Sequence, residues 1–174
     1  MTTLIVQTAG AVVANANTYL DETSSNTLAT KYGLTAWTSY TGDKSVALFL
    51  ATQNLENVYS KSFLGSITVE TQPLAFPRTQ FYKSAGTIVT EGTIPEELTL
   101  AQLKLAIQSS QGINLYAAPD TTGNLSEITE TVDQGVSRTR KWFSPNLAQS
   151  NNKYEIGQIL SPILNSSSQR TVRA

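Results

Sequence analysis

Apolar residues recur at helical spacing in several stretches of this chain and alternate with polar ones in another. From Lys44 to Ser60 the positions Ala47, Leu48, Ala51, Leu55, Val58 and Tyr59 fall three and four apart, and Phe49 and Leu50 widen the stripe. That is the pattern of a central, largely buried helix. Behind Ile94-Pro95-Glu96-Glu97 a second apolar face runs through Leu98, Leu100, Ala101, Leu103, Leu105, Ala106 and Ile107. A proline at the first helical position and two acids in the first turn mark its start. It is expected to reach Ser110, with continuation past Gly112 to Tyr116 left open. A shorter helix is expected over about 21–32, with Asp21 as N-cap, Glu22 in the first turn and Gly33 as the stop. Tyr154, Ile156, Ile159, Leu160, Ile163 and Leu164 define a last short helix over about 153–164, kinked near Pro162.

Between the second and third helices, Gly65, Pro73, Pro77, Gly86 and Gly92 punctuate short apolar pieces such as Ile67-Thr68-Val69 and Thr87-Ile88-Val89. This reads as a long ordered loop with strand-like stretches, pinned where Leu74-Ala75-Phe76 inserts between helices. After a turn-rich break, Ile128–Val132 and Val136–Arg140 flank Asp133-Gln134-Gly135, the signature of a β-hairpin with a three-residue loop. The closing stretch from Asn165 has too little apolar content to pack. The expected fold is mainly α: a small helical bundle with a long ordered loop, a protruding β-hairpin and a flexible C-terminal tail. One domain is expected over 1–164, with a helical core about 17–116, the hairpin about 125–143 and the tail 165–174.

Composition narrows the chemistry more than the fold. The 174 residues include no histidine and no cysteine, which removes the usual zinc sites, thiol nucleophiles and Ser-His-Asp arrangements. No motif pairs two of the 13 acids around a substrate. No enzyme activity, catalytic residue, metal or cofactor is expected. The N-terminus lacks the charged and apolar segments of a secretory signal, and no run has the length of a membrane span. Charge is uneven: residues 1–136 carry 6 Lys+Arg against 12 Asp+Glu, and residues 137–174 carry 6 against Glu155 alone. That asymmetry either steers docking onto an acidic partner or a phosphate backbone, or is a fluctuation over two solvated surfaces.

The densest candidate site is Arg138, Arg140, Lys141, Trp142 and Phe143 in the second hairpin strand. A strand places Arg138 and Arg140 on one face. Cations beside aromatics suit a partner contact, and the alternative is an edge strand protected by charge with Trp142 and Phe143 as anchors. Arg78 is read as a structural residue of a packed turn, and Tyr19 and Tyr59 as core residues with a polar tip.

Four short signatures also occur in fixed order: Asn17-Thr18-Tyr19, Ala51-Thr52-Gln53-Asn54-Leu55, Leu74-Ala75-Phe76-Pro77-Arg78 and Ile94-Pro95-Glu96-Glu97-Leu98. In that order the chain resembles the head-tail connector (adaptor) proteins of tailed bacteriophages, a group sometimes labelled DnaT-like. Phe76 stands where that family carries tryptophan, and the match is good from about 14 to 107 and weaker beyond. The resemblance implies a structural virion protein in the neck, made in the host cytoplasm. It implies a ring of about twelve copies beneath the portal protein, joined to tail or nozzle proteins, with a channel through which DNA passes without sequence-specific binding. Under it, the contacts to portal or neighbouring subunit fall on Arg138, Arg140, Lys141, Trp142 and Phe143, and on Gln169, Arg170, Val172 and Arg173 in the tail. The alternative carried by the DnaT-like label is single-stranded DNA binding, which needs a basic surface with stacking aromatics. A carboxylate-dependent hydrolase is a third class and requires two acids meeting in a pocket.

Overall fold

The computed structural model describes residues 2–116, 125–132, 136–143 and 147–165. Its elements are α1 (Glu22–Lys31), α2 (Thr35–Thr38), α3 (Lys44–Tyr59), β1 (Phe81–Tyr82), β2 (Ile88–Val89), α4 (Glu96–Ser110), β3 (Leu125–Val132), β4 (Val136–Phe143) and α5 (Leu147–Leu160), followed by a 3₁₀ turn at Ser161–Ile163. The fold is mainly α with small antiparallel ribbons. It divides into two units, one comprising Met1–Leu115 with Ile156–Ala174, the other Tyr116–Glu155.

In the first unit α3 and α4 pack against each other. Ala47, Leu48, Ala51 and Leu55 of α3 and Leu98, Ala101, Leu103, Leu105 and Ala106 of α4 are all buried, as their spacing requires. Trp37 of α2 is fully buried, and its indole N–H donates to Ser25 Oγ at 3.2 Å. Helix ends follow the local chemistry. Asp21 and Asp43 accept from the backbone N–H of Ser24 and Val46. Replacing Asp43 by alanine is expected to cost about 1 kcal/mol, readable as a lower denaturant midpoint with unchanged slope. Gly33 and Gly112 adopt φ of 64° and 79°, and the N–H groups of Leu34 and Ile113 return to the carbonyls of Ala29 and Gln108. Both helices therefore close in the motif that glycine permits.

Several boundaries differ from the sequence expectation. Pro95 is the N-cap of α4, with extended ψ of 143°, and Glu96 is the first helical residue. α4 ends at Ser110 as expected and does not continue to Tyr116, because Gly112 reverses the chain. α5 begins at Leu147, ahead of the expected 153. Residues Gln149–Lys153 are polar throughout and carry no apolar periodicity to reveal a helix. The expected kink at Pro162 is a helix end: α5 closes at Leu160 and Pro162 lies in the 3₁₀ turn.

The loop between α3 and α4 is built of two short antiparallel contacts. Ile67 bridges Arg78, and Phe81-Tyr82 pairs with Ile88-Val89. Phe81 and Val89 are buried while Tyr82 and Ile88, opposite one another, are exposed. At Gly65 the chain turns back so closely that a Cβ would meet the Thr79 carbonyl at 2.9 Å, and its φ is 74°. The C-terminal residues close this side of the unit: Leu64 N–H donates to Ile163 O, Asn165 N–H to Ser62 O and Ser84 N–H to Pro162 O.

The second unit contains the β3–β4 hairpin, eight residues a side in continuous antiparallel register. The ladder runs from the Leu125–Phe143 pair at the open end to the Val132–Val136 pair beside the loop. The loop Asp133-Gln134-Gly135 and the tail residues Gln169, Arg170, Val172 and Arg173 lie outside the described residues.

Candidate nucleic-acid interface

The five sequence candidates of the hairpin occupy ladder position 138 and positions 140–143 of β4, so the structure brings Arg138, Arg140, Lys141, Trp142 and Phe143 onto one continuous strand. Glu130 is opposite Arg138, Thr129 opposite Thr139, Ile128 opposite Arg140, Glu127 opposite Lys141, Ser126 opposite Trp142 and Leu125 opposite Phe143. Successive residues alternate between faces and opposite residues share one. Arg138, Arg140 and Trp142 therefore belong to one face with Glu130, Ile128 and Ser126. Lys141 and Phe143 belong to the other with Glu127 and Leu125. Eight residues of strand span about 26 Å. Such a run offers cations for phosphate and an aromatic for base stacking, the two ingredients of single-strand recognition.

The first unit uses its own polar groups internally. Glu56 on α3 accepts from the Tyr19 hydroxyl at 2.5 Å and from the backbone N–H of Ala75 at 2.9 Å. The same Tyr19 oxygen accepts from the N–H of Phe76 at 3.2 Å. Burial holds the Glu56 carboxyl above the usual carboxylate range, against the opposing pull of Tyr19, the Ala75 N–H and the Arg78 guanidinium. Burial, and then the neighbouring Glu56, push the Tyr19 hydroxyl well above the ordinary phenol value. Arg78 is 8% exposed, donates to Ser60 O at 3.3 Å at the end of α3, and lies over the rings of Phe63 and Phe76. Burial lowers its pKa. Arg78 is thus the packed structural residue that the sequence indicated.

A second buried network joins three segments: Gln102 Nε2 donates to Thr18 Oγ1 at 2.7 Å, Thr52 Oγ1 at 2.9 Å and Leu48 O at 3.3 Å. At the surface, Glu96 takes both Lys31 and Tyr32, and Lys31 first holds its carboxyl below the usual range. Lys83 pairs with Glu97 and Lys44 with Asn26. A groove of about 340 Å³ between α1 and α4 is lined by the hydroxyl residues Thr23, Ser24, Thr27 and Thr99, by Leu20 and Leu28, and by the Glu96-paired Lys31. Among the described residues no cluster of three or more carboxylates could hold a metal.

Across residues 2–174 the sequence matches the family described as "Putative DnaT-like ssDNA binding protein". The chain belongs to this family. No curated protein and no solved structure matches it.

This membership corrects the resemblance drawn from the four signatures. The family is one of DnaT-like proteins described by single-stranded DNA, and it is not a head-tail connector family. The expectations that rested on the connector are withdrawn with it: the structural virion role, the portal, tail and nozzle partners, the twelve-copy ring with passive DNA passage, and the virion neck as location. The structure supplies the physical reason why the signatures misled. Thr18 and Thr52 meet on Gln102, Tyr19 and Ala75 meet on Glu56, Arg78 closes α3, and Pro95 caps α4. Every signature describes how the first unit is tied together, and none describes what the DnaT-like chain engages.

Sequence reasoning found the cations and aromatics of β4 as residue types. It did not place Glu127 opposite Lys141 or Glu130 opposite Arg138, because that needs the register. The register was within reach: strands of equal length closing on a glycine-containing three-residue loop pair Val132 with Val136 and fix every pair behind them.

Proposed function

We propose that this DnaT-like protein binds single-stranded DNA through strand β4, with Arg138, Arg140 and Lys141 meeting phosphates and Trp142 and Phe143 stacking on bases. The observation that carries this reading is the run of cations followed directly by two aromatics along one register-paired strand, and membership of a family described by single-stranded DNA binding supports it. Stacking on an aromatic is worth about 1–3 kcal/mol per base and tolerates any sequence, because every base has a π face. Phosphate contacts add a term that weakens as salt rises. The chain as a whole is slightly acidic, with 12 Lys+Arg against 13 Asp+Glu. Its affinity therefore belongs in the modest non-specific range, roughly 10⁻⁴–10⁻⁶ M at physiological salt.

The test is fluorescence anisotropy of a labelled oligothymidylate with the full chain, at about 50 and about 200 mM salt. Binding is expected at the lower salt, weaker at the higher, and weaker still for the matching duplex, whose bases are not free to stack. Trp142→Ala should lose about 1–3 kcal/mol of affinity at both salts. Absence of retention at the lower salt, or equal affinity for duplex, would overturn the reading.

A further inference from the structure

We infer that residues 156–165 form a releasable strap, a segment that docks on the first unit as a whole and opens as a whole while α3 and α4 stay folded. Closed, the chain between the two passages through the first unit is anchored at both ends, Leu115 and Ile156; open, it is anchored at Leu115 alone. The inference concerns the first unit and does not depend on DNA binding.

Local chemistry builds the strap. α5 ends at Leu160, and Pro162, which has no N–H to continue a helix, lies in the 3₁₀ turn Ser161–Ile163. Leu164 is then extended, with ψ of 145°, and bridges Phe63 in antiparallel fashion. Leu64 N–H donates to Ile163 O at 2.9 Å, Asn165 N–H to Ser62 O at 2.7 Å and Ser84 N–H to Pro162 O at 3.0 Å. Ile156, Leu160 and Ile163 are buried, and Ile159 and Leu164 pack half-buried against the same core. The backbone bonds and the buried side chains fall on the same few residues, so losing one set unseats the other.

Two features separate the strap from the rest of the first unit. The α3–α4 pair is assembled from residues that precede the excursion: Leu48, Ala51 and Leu55 of one helix and Leu98, Ala101 and Ala106 of the other are buried, and Gln102 ties both helices to Thr18. Seating the strap also closes a loop of about 40 residues, Tyr116–Glu155, at a cost in chain entropy that release returns. A short segment held by its own set of contacts, and paying that cost, opens below the free energy of global unfolding. Release bares the backbone edge of Ser62–Leu64 and the side of Phe63, whose ring meets Phe76 at 5.1 Å.

The test is native-state hydrogen exchange of the full chain over a series of sub-denaturing urea concentrations, read by NMR at the amides of Leu64, Ser84 and Asn165 for the strap and of Leu55 and Leu103 for the helices. The strap amides are expected to exchange through one common opening, with protection at least about tenfold lower than at the helix amides and with a weaker dependence on urea, because less surface is exposed. Ile163→Val weakens the closed state and should speed exchange at all five amides about two- to tenfold. Ala101→Gly weakens α4 in the closed and open forms alike, so it should speed Leu55 and Leu103 about fivefold and leave the strap amides at their wild-type rates. Strap amides that share the rate and urea dependence of Leu55, or that follow Leu55 in Ala101→Gly, would overturn the inference. Three strap amides with unrelated openings would overturn it too, since they describe fraying and not the release of one segment. The wild-type urea series decides by itself if either variant is unstable.

Discussion

Phe76→Ala is expected to lower the stability of the protein by about 3–5 kcal/mol, the range for emptying a large buried aromatic site. Phe76 is fully buried. Its ring meets Phe63 edge-on at 5.1 Å and Phe81 at 6.3 Å, and the Arg78 guanidinium lies 5.8 Å from its centroid. Phe63 follows α3, and Phe81 belongs to β1. One side chain therefore joins the end of the central helix to the long loop, and its loss leaves a cavity bordered by both. Thermal or urea unfolding followed by circular dichroism measures the change. Phe76→Leu, which refills part of the volume, should recover a substantial part of it. An alanine variant within about 1 kcal/mol of wild type would show that the loop is held elsewhere.

Glu56→Ala is expected to cost about 2–4 kcal/mol at neutral pH, because it strips the acceptor from the Tyr19 hydroxyl and from the Ala75 N–H at once. The pH dependence has a definite sign. Burial raises the carboxyl of folded Glu56 above its unfolded value, so in the window between the two the native chain binds a proton that the unfolded chain has released. Its contribution to stability is fully present below the unfolded pKa and falls away as pH rises through the folded one. Glu96, held below the usual range by Lys31 and Tyr32, acts with the opposite sign and at lower pH, so the two can be separated. Urea midpoints taken between about pH 4 and pH 7 should fall with rising pH in the wild type, and this component should vanish in Glu56→Gln. An unchanged profile in that variant would assign the slope to other groups.

Legibility in the sequence tracked the length and regularity of each element. α3 and α4 run 16 and 15 residues with continuous apolar faces, and the alternation about a glycine-containing turn marked the hairpin. α2 was invisible because four residues carry no period, although its Trp37 is among the most deeply buried side chains. Gln7 and Gln102 are 2% and 0% exposed, and no hydropathy pattern finds a buried amide. Gln102 is explained by the hydroxyls of Thr18 and Thr52, residues 84 and 50 positions away. Gln7 organises its own turn, donating to the carbonyls of Thr8 and Ala11 and accepting from Val13 N–H. At the candidate site the residue types were legible and their electrostatic value was not. A cation opposite an acid and a cation opposite an isoleucine read alike until the strands are aligned.

The order of segments along the chain carries one more consequence. The polypeptide leaves the first unit after Leu115 and rejoins it at Ile156, and among the described residues of that unit the buried set lies on both sides of the excursion, with Trp37, Leu48, Phe76 and Leu98 before it and Ile156, Leu160 and Ile163 after it. The core of the first unit is therefore incomplete until the chain beyond the excursion is present, because Ile156, Leu160 and Ile163 belong to its buried set. A chain that ends before residue 156 would leave that core unfilled however well its earlier helices form.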